Sequence, residues 1–314
     1  MSLAFVFPGQ GSQSLGMLAE MASAHPQIET TFAEASGVLG YDLWALTQQG
    51  PEEKLNQTEQ TQPAMLAAGV AVWRAWQASG GARPALLAGH SLGEYSALVC
   101  AGSLEFTTAV KLVAARGRFM QEAVPVGEGA IAAVLGLSDE KVVESCEDAM
   151  KARPGEVAAA VNFNAPGQVV VAGNAAAVER ALSAAKDKGA KRAITLPMSV
   201  PVHCDLMRPA TERLSSMLAD ARVSAPEIPV VNNADVAIKS DPNEIRDALA
   251  RQLFSPVRWT DTIRKLAEEG ANVVVECGPG RVLSGLMKRI DRNIKALSLH
   301  DPDSLRAALT ETGG

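Results

Sequence analysis

The spacing of apolar residues changes along this chain, and each change marks an element. "LAFVF" (3–7) is an unbroken apolar run of strand length that empties into a loop rich in Gly, Pro and Gln. Apolar positions then recur at helical spacing to about Ala78. "RPALLAGHS" (83–91) supplies a second run of small and apolar residues, and "GEYSALVCAG" (93–102) takes up helical spacing at once. Strand, sharp turn and helix are predicted there.

Between 129 and 195 the elements become shorter and alternate. "GAIAAVLGL" reads as a strand, and "SDEKVVESCEDAMKA" as a helix opened by a Ser cap with acids in its first turn. "VAAAVNF" is a strand, "NAPG" a turn and "QVVVAG" a strand. "NAAAVERALSAAKDKG" is a helix closed by Gly189, and "AKRAITL" a last strand. The order β-α-β-β-α-β is that of a ferredoxin-like unit. A small domain over 128–196 is therefore expected, inserted into a larger α/β domain made of 1–127 and 197–314. The larger domain resumes with strands at 228–233, 272–278 and 294–299 separated by helical patterns, which implies a mostly parallel sheet.

Composition narrows the function classes. The chain has 314 residues, 47% hydrophobic and 20% charged, and no apolar run approaches the ~18 residues that span a bilayer, so no membrane association is expected. A net charge of -6 argues against nucleic-acid binding. The apolar stretch in "MSLAFVFPGQGSQ" is too short for a secretory signal, and Cys100, Cys146, Cys204 and Cys277 form no Cys-x-x-Cys pair. Reduced thiols in a cytoplasmic protein are expected, without a zinc site or disulfide frame. Nothing in the sequence calls for an obligate dimer, so a monomer is expected.

The chemistry centres on "GHSLG" (89–93). A serine hydroxyl is a weak nucleophile until it is exposed and a base takes its proton; Gly-x-Ser-x-Gly between a strand and a helix provides the exposure. The backbone N–H of Leu92, at the helix start, is placed to help hold an oxyanion. Neighbouring side chains diverge at such a turn, so His90 is a poor base for Ser91, and His25 reads as a helix end. His203, on an extended stretch after Pro201 where the small domain returns to the large one, is the better candidate. His300 is the rival, since hydrolases with this elbow carry their histidine near the C-terminus. Asp205 is too near His203 in sequence to serve as a triad acid, which leaves a neutral group to orient the imidazole. Glu94 reads as a first-turn acid suited to the helix dipole.

Arg116 shares a helix face with Leu112, Phe119 and Met120, whereas Lys111, Arg118 and Glu122 mark the solvated side. A guanidinium turned inward needs an anionic partner, either an internal carboxylate or the carboxylate of a substrate.

Several longer stretches are more specific than the elbow. "FVFPGQGSQ" (5–13), "GHSLGEYSAL" (89–98), "RGRFMQEA" (116–123), "NFNAPGQVVVAG" (162–173), "LPMSVPVHCDLMRPA" (196–210) and "RQLFSPVRW" (251–259) resemble the malonyl-CoA:acyl carrier protein transacylase family of bacterial fatty acid synthesis. The resemblance implies an α/β-hydrolase-like core with a ferredoxin-like subdomain over the active site. It implies Ser91 as the nucleophile that becomes malonylated and His203 as its base. Gln252 would orient that histidine through its backbone carbonyl. Arg116 would bind the malonyl carboxylate, and the N–H groups of Gln10 and Leu92 would form the oxyanion hole. The implied reaction is a ping-pong transfer of malonyl from the coenzyme A thioester to the phosphopantetheine thiol of acyl carrier protein, with no metal or other cofactor. A discrete acyltransferase for polyketide synthesis, a serine esterase or thioesterase using His300, and a non-catalytic carrier scaffold are the alternatives.

Where the family often has Ser before the catalytic histidine, this chain has Val202, a bulkier neighbour for a branched malonyl group. Acyl carrier proteins are acidic, which makes "KDKGAKR" (186–192), Arg281, Lys288 and Arg289 candidate docking residues, although a solvated helix end explains the first stretch as simply.

Overall fold

The structure is a computed structural model that describes residues 2–196 and 200–313. Along the chain its strands are β1 (Leu3–Phe7) and β2 (Leu86–Gly89), then β3 (Gly129–Leu135), β4 (Ala158–Ala165), β5 (Gln168–Asn174) and β6 (Arg192–Thr195), then β7 (Val230–Val231), β8 (Val273–Glu276) and β9 (Lys295–Ser298). They form two sheets. The first, β7-β2-β1-β8-β9, is parallel throughout.

Its inner strands read as unbroken apolar runs because helices cover both faces. Phe5 and Phe7 of β1 point into a layer with Trp73 and Trp76 of the long helix Thr58–Ala78, where the Phe5 and Trp73 rings meet edge to face at 5.4 Å. Ala4 and Val6 point the other way, toward Trp259 and Ile263 of the helix Trp259–Glu268. Burying each of these large side chains contributes about 1.5–3 kcal/mol.

The second sheet, β4-β5-β3-β6, is antiparallel, and its chain order with the helices Asp139–Lys151 and Ala175–Asp187 is β-α-β-β-α-β, the ferredoxin-like arrangement. Its two faces have different partners. Ala132, Val134, Val169 and Val171 pack under the two helices. Ile131, Val161, Val170 and Ala172 pack instead against Cys204, with Val202 and Leu206 beside it. The small sheet thus lies over the segment that carries His203. The join expected at 196/197, and part of the 196–210 stretch, touch residues 197–199 and so lie outside the described residues.

One strand is shorter than its apolar pattern. The run at 228–233 pairs only at Val230–Val231, because Pro229 has no N–H and Asn232 turns the chain, its N–H donating to Ala237 O. Among the described residues no helix is long and apolar enough to cross a membrane.

Candidate active site

The site forms where the parallel strands end. β2 runs through His90 into Ser91, whose φ of 51° places it in the left-handed region, and the helix Gly93–Cys100 follows directly. Two glycines permit this turn. A Cβ on Gly93 would lie 2.1 Å from Phe7 O, and one on Gly89 would lie 1.9 Å from the carbonyl carbon of Gly93. The same closeness brings the loop after β1 alongside the elbow, so Gln10 and Leu92 line one cleft with Ser91, His203 and Arg116. Among the described residues neither the Gln10 nor the Leu92 N–H donates a hydrogen bond, which leaves both free for an oxyanion.

Ser91 Oγ lies 2.7 Å from His203 Nε2, and His203 Nδ1 lies 2.8 Å from the backbone carbonyl of Gln252. A carbonyl only accepts, so Nδ1 carries the proton and Nε2 presents its lone pair to the serine hydroxyl. His203 also has a left-handed φ of 61°, held by its own N–H donating to Leu253 O at 2.9 Å. Burial, reinforced by the Arg116 charge, pushes its pKa down to about 3. The imidazole is therefore neutral at physiological pH and able to accept a proton.

Arg116 is buried at 1% exposure, with Leu112, Phe119 and Met120 on the inward face and Lys111, Arg118 and Glu122 exposed. Burial pulls its pKa below the ordinary arginine value. Among the described residues no carboxylate pairs with it directly. Its Nη2 donates to Gln252 Oε1 at 3.0 Å and approaches Ser91 Oγ at 3.4 Å, and its Nε has no partner among the described residues. A buried guanidinium with an unused donor in an apolar cleft is suited to a planar anion.

Neither His90 nor His300 hydrogen-bonds Ser91 Oγ, although His90 lines the same cleft. His90 Nε2 lies 2.8 Å from Asn164 Oδ1, and its ring meets Trp259 edge to face at 5.3 Å. His300 lies in its own loop, 3.1 Å from Ser298 Oγ and 3.1 Å from Asp301 Oδ2, and does not line the cleft.

The model of the family described as acyl transferase domain matches residues 4–297. The chain belongs to that acyltransferase family. It is 59% identical over 308 residues to the malonyl CoA-acyl carrier protein transacylase of Salmonella typhimurium, spanning 98% of this chain and 99% of that one. An acyl carrier protein S-malonyltransferase from Vibrio cholerae superposes with a TM-score of 0.95 at 56% identity, covering 98% of this chain and 99% of the other. A malonyl-transacylase solved with its type II polyketide acyl carrier protein superposes with a TM-score of 0.97 at 55% identity, covering 99% and 100%.

Two residues of this acyltransferase site have roles that the sequence did not reveal. Asn233, just beyond β7, accepts from Ser91 N at 2.7 Å through Oδ1 and donates to Gly89 O at 2.7 Å through Nδ2, clasping the elbow from both sides. Its position beyond the C-terminal end of a parallel strand was the available signal. Glu94 lies in the first turn of its helix, as expected. It is also buried, with Oε2 accepting from Asn233 N at 2.9 Å and from Gln252 Nε2 at 2.7 Å. Burial pushes its carboxyl up to about 7. Arg251 ties these pieces together, bonding both Asp235 oxygens at 2.8 Å and Asp247 at 2.7 Å, which fixes the loop after β7 to the helix Pro242–Gln252.

Among the docking candidates, Lys188 is engaged by Asp148 at 2.9 Å and Glu144 at 3.2 Å, which favours the ordinary helix-end reading of that stretch. Arg281, Lys288 and Arg289 are exposed on or beside the helix Val282–Ile290, whose Val282, Leu283 and Leu286 line the cleft.

Proposed function

We propose that this protein transfers a malonyl group from malonyl-CoA to the phosphopantetheine thiol of an acyl carrier protein through an ester on Ser91, as a cytoplasmic monomer supplying fatty acid synthesis. The observation that carries the reading is the convergence on one cleft of a serine 2.7 Å from a neutral imidazole and a buried arginine with an unused donor. Its similarity over nearly the whole chain to malonyl CoA-acyl carrier protein transacylases supports the cargo and the carrier.

In the first half-reaction Ser91 Oγ attacks the thioester carbon while its proton passes to His203 Nε2. The N–H groups of Gln10 and Leu92 receive the developing oxyanion, and collapse breaks the carbon–sulfur bond. The departing coenzyme A sulfur takes the proton from His203. In the second half-reaction the carrier thiol gives its proton to His203 and attacks the malonyl ester, a new thioester forms, and the proton returns to Ser91 Oγ. Nδ1–H on Gln252 O keeps the imidazole in the required tautomer and stabilises the imidazolium in each step. Protein groups and the two substrate thiols carry every step, so the scheme needs no metal or redox cofactor.

Arg116 holds the malonyl carboxylate, which gives this cargo an advantage over acetyl. Its charge is also one of the causes that weaken His203 as a base.

Two assays test the proposal. With malonyl-CoA and holo-acyl carrier protein, malonyl appears on the carrier thiol, and Ser91→Ala abolishes it. Release of free malonate at the same rate with and without carrier would mark a hydrolase instead.

A further inference from the structure

The sequence posed a question that Ser91 and His203 do not answer: what balances the buried charge of Arg116 before any substrate arrives? The connection is indirect. Gln252 is fully buried, and its amide lies between the two charged groups. Its Oε1 faces the guanidinium, a pure donor, at 3.0 Å. Its Nε2 faces two pure acceptors, Glu94 Oε2 at 2.7 Å and Ser91 O at 3.0 Å. Only one orientation of the amide satisfies all three contacts, with the negative end of its dipole at the guanidinium and the positive end at the carboxylate.

We propose that Glu94 is the counter-ion of Arg116 in the empty enzyme, coupled to it through the side-chain amide of Gln252, and that its charge sets how strongly the clamp favours a carboxylate-bearing acyl group over a neutral one. This rests on the malonyl reading of the site. Glu94 makes no contact with the reacting atoms and acts as a positioning residue. When ionised it relieves Arg116 of being an uncompensated buried cation, and it opposes the incoming malonyl carboxylate, so that the cargo is not held too tightly to leave. When protonated it leaves the guanidinium free to attract the cargo at full strength.

The other groups facing Glu94 keep their charge across the neutral range. Asp235, beyond β7, is held down to about 2 by Arg251. Tyr95, on the same helix as Glu94, is pushed up by burial, and Arg116 stays cationic. His203, reached through Gln252, is neutral above about 3, and burial lowers His90 as well. Glu94, pushed up to about 7, is the group that changes charge there.

The test is the ratio of kcat/KM for Ser91 acylation by malonyl-CoA to that by acetyl-CoA, in which contributions of His203 and Ser91 common to both donors cancel. In the unaltered enzyme the ratio falls about tenfold as the pH rises from 6 to 8. In Glu94→Gln, which keeps an acceptor for Gln252 and Asn233 but no charge, the ratio at pH 8 is about tenfold higher than in the unaltered enzyme and does not vary with pH. A level ratio in the unaltered enzyme overturns the proposal even if the variant does not fold, as does a pH-dependent ratio in the variant. Failure of the unaltered enzyme to take malonyl from malonyl-CoA would overturn the functional reading instead.

Discussion

Replacing Asn233 by alanine removes a clasp that spans 142 residues of sequence between the elbow and the loop beyond β7. Three contacts meet at this residue, which is 1% exposed. The backbone N–H to Glu94 survives the substitution; the side-chain bonds to Gly89 O and Ser91 N do not. Gly89 O is fully enclosed, so leaving it unpaired costs about 1–3 kcal/mol. Ser91 N borders the cleft and regains water, so its loss costs about 1 kcal/mol or less. The sum, about 1–4 kcal/mol, is read as the drop in unfolding free energy from urea denaturation of Asn233→Ala against the unaltered protein. The left-handed φ of Ser91 loses its restraint at the same time, and the rate of Ser91 acylation by malonyl-CoA falls at least tenfold. A stability loss under 0.5 kcal/mol with unchanged acylation would refute the reasoning that Asn233 holds the nucleophile in place.

Three further outcomes are expected. Arg116→Ala lowers the malonyl-to-acetyl ratio of kcat/KM roughly 10- to 150-fold, the equivalent of one charge-assisted hydrogen bond; an unchanged ratio would remove Arg116 from the clamp. With acetyl-CoA as donor, the acylation rate changes less than twofold between pH 6 and 5, because His203 stays neutral down to about 3 and Glu94 is already protonated. A base with the ordinary value of 6.5 would lose about eightfold over that interval. Lys288→Glu raises KM for acyl carrier protein several-fold at low salt and leaves the malonyl-CoA half-reaction alone; equal effects on both half-reactions would place the carrier elsewhere.

What could be read from the sequence was what local sterics and periodicity encode. The elbow was legible because Gly89 and Gly93 flank Ser91 where no Cβ fits. Arg116 was legible because helical spacing put it with Leu112 and Met120, and its burial follows. The β-α-β-β-α-β order was legible because each of its elements is short and bounded by turn residues. Gln252 entered only through family resemblance, since its contact with His203 uses a backbone carbonyl that any residue owns. Glu94 was placed in the first turn of its helix, but its burial was not legible, because a first-turn acid looks the same whether the turn faces water or a buried amide. Asn233 was missed because its partners, Gly89 and Ser91, lie more than 140 residues away, and only the parallel sheet brings them together.

The measurement closest to the central claim is mass spectrometry of the protein after brief exposure to malonyl-CoA, followed by peptide mapping and addition of holo-acyl carrier protein. A malonyl adduct on Ser91 that disappears as the carrier thiol becomes malonylated is the expected result, with little adduct in His203→Ala. No adduct on Ser91, or an adduct that water removes as fast as the carrier does, would contradict the account.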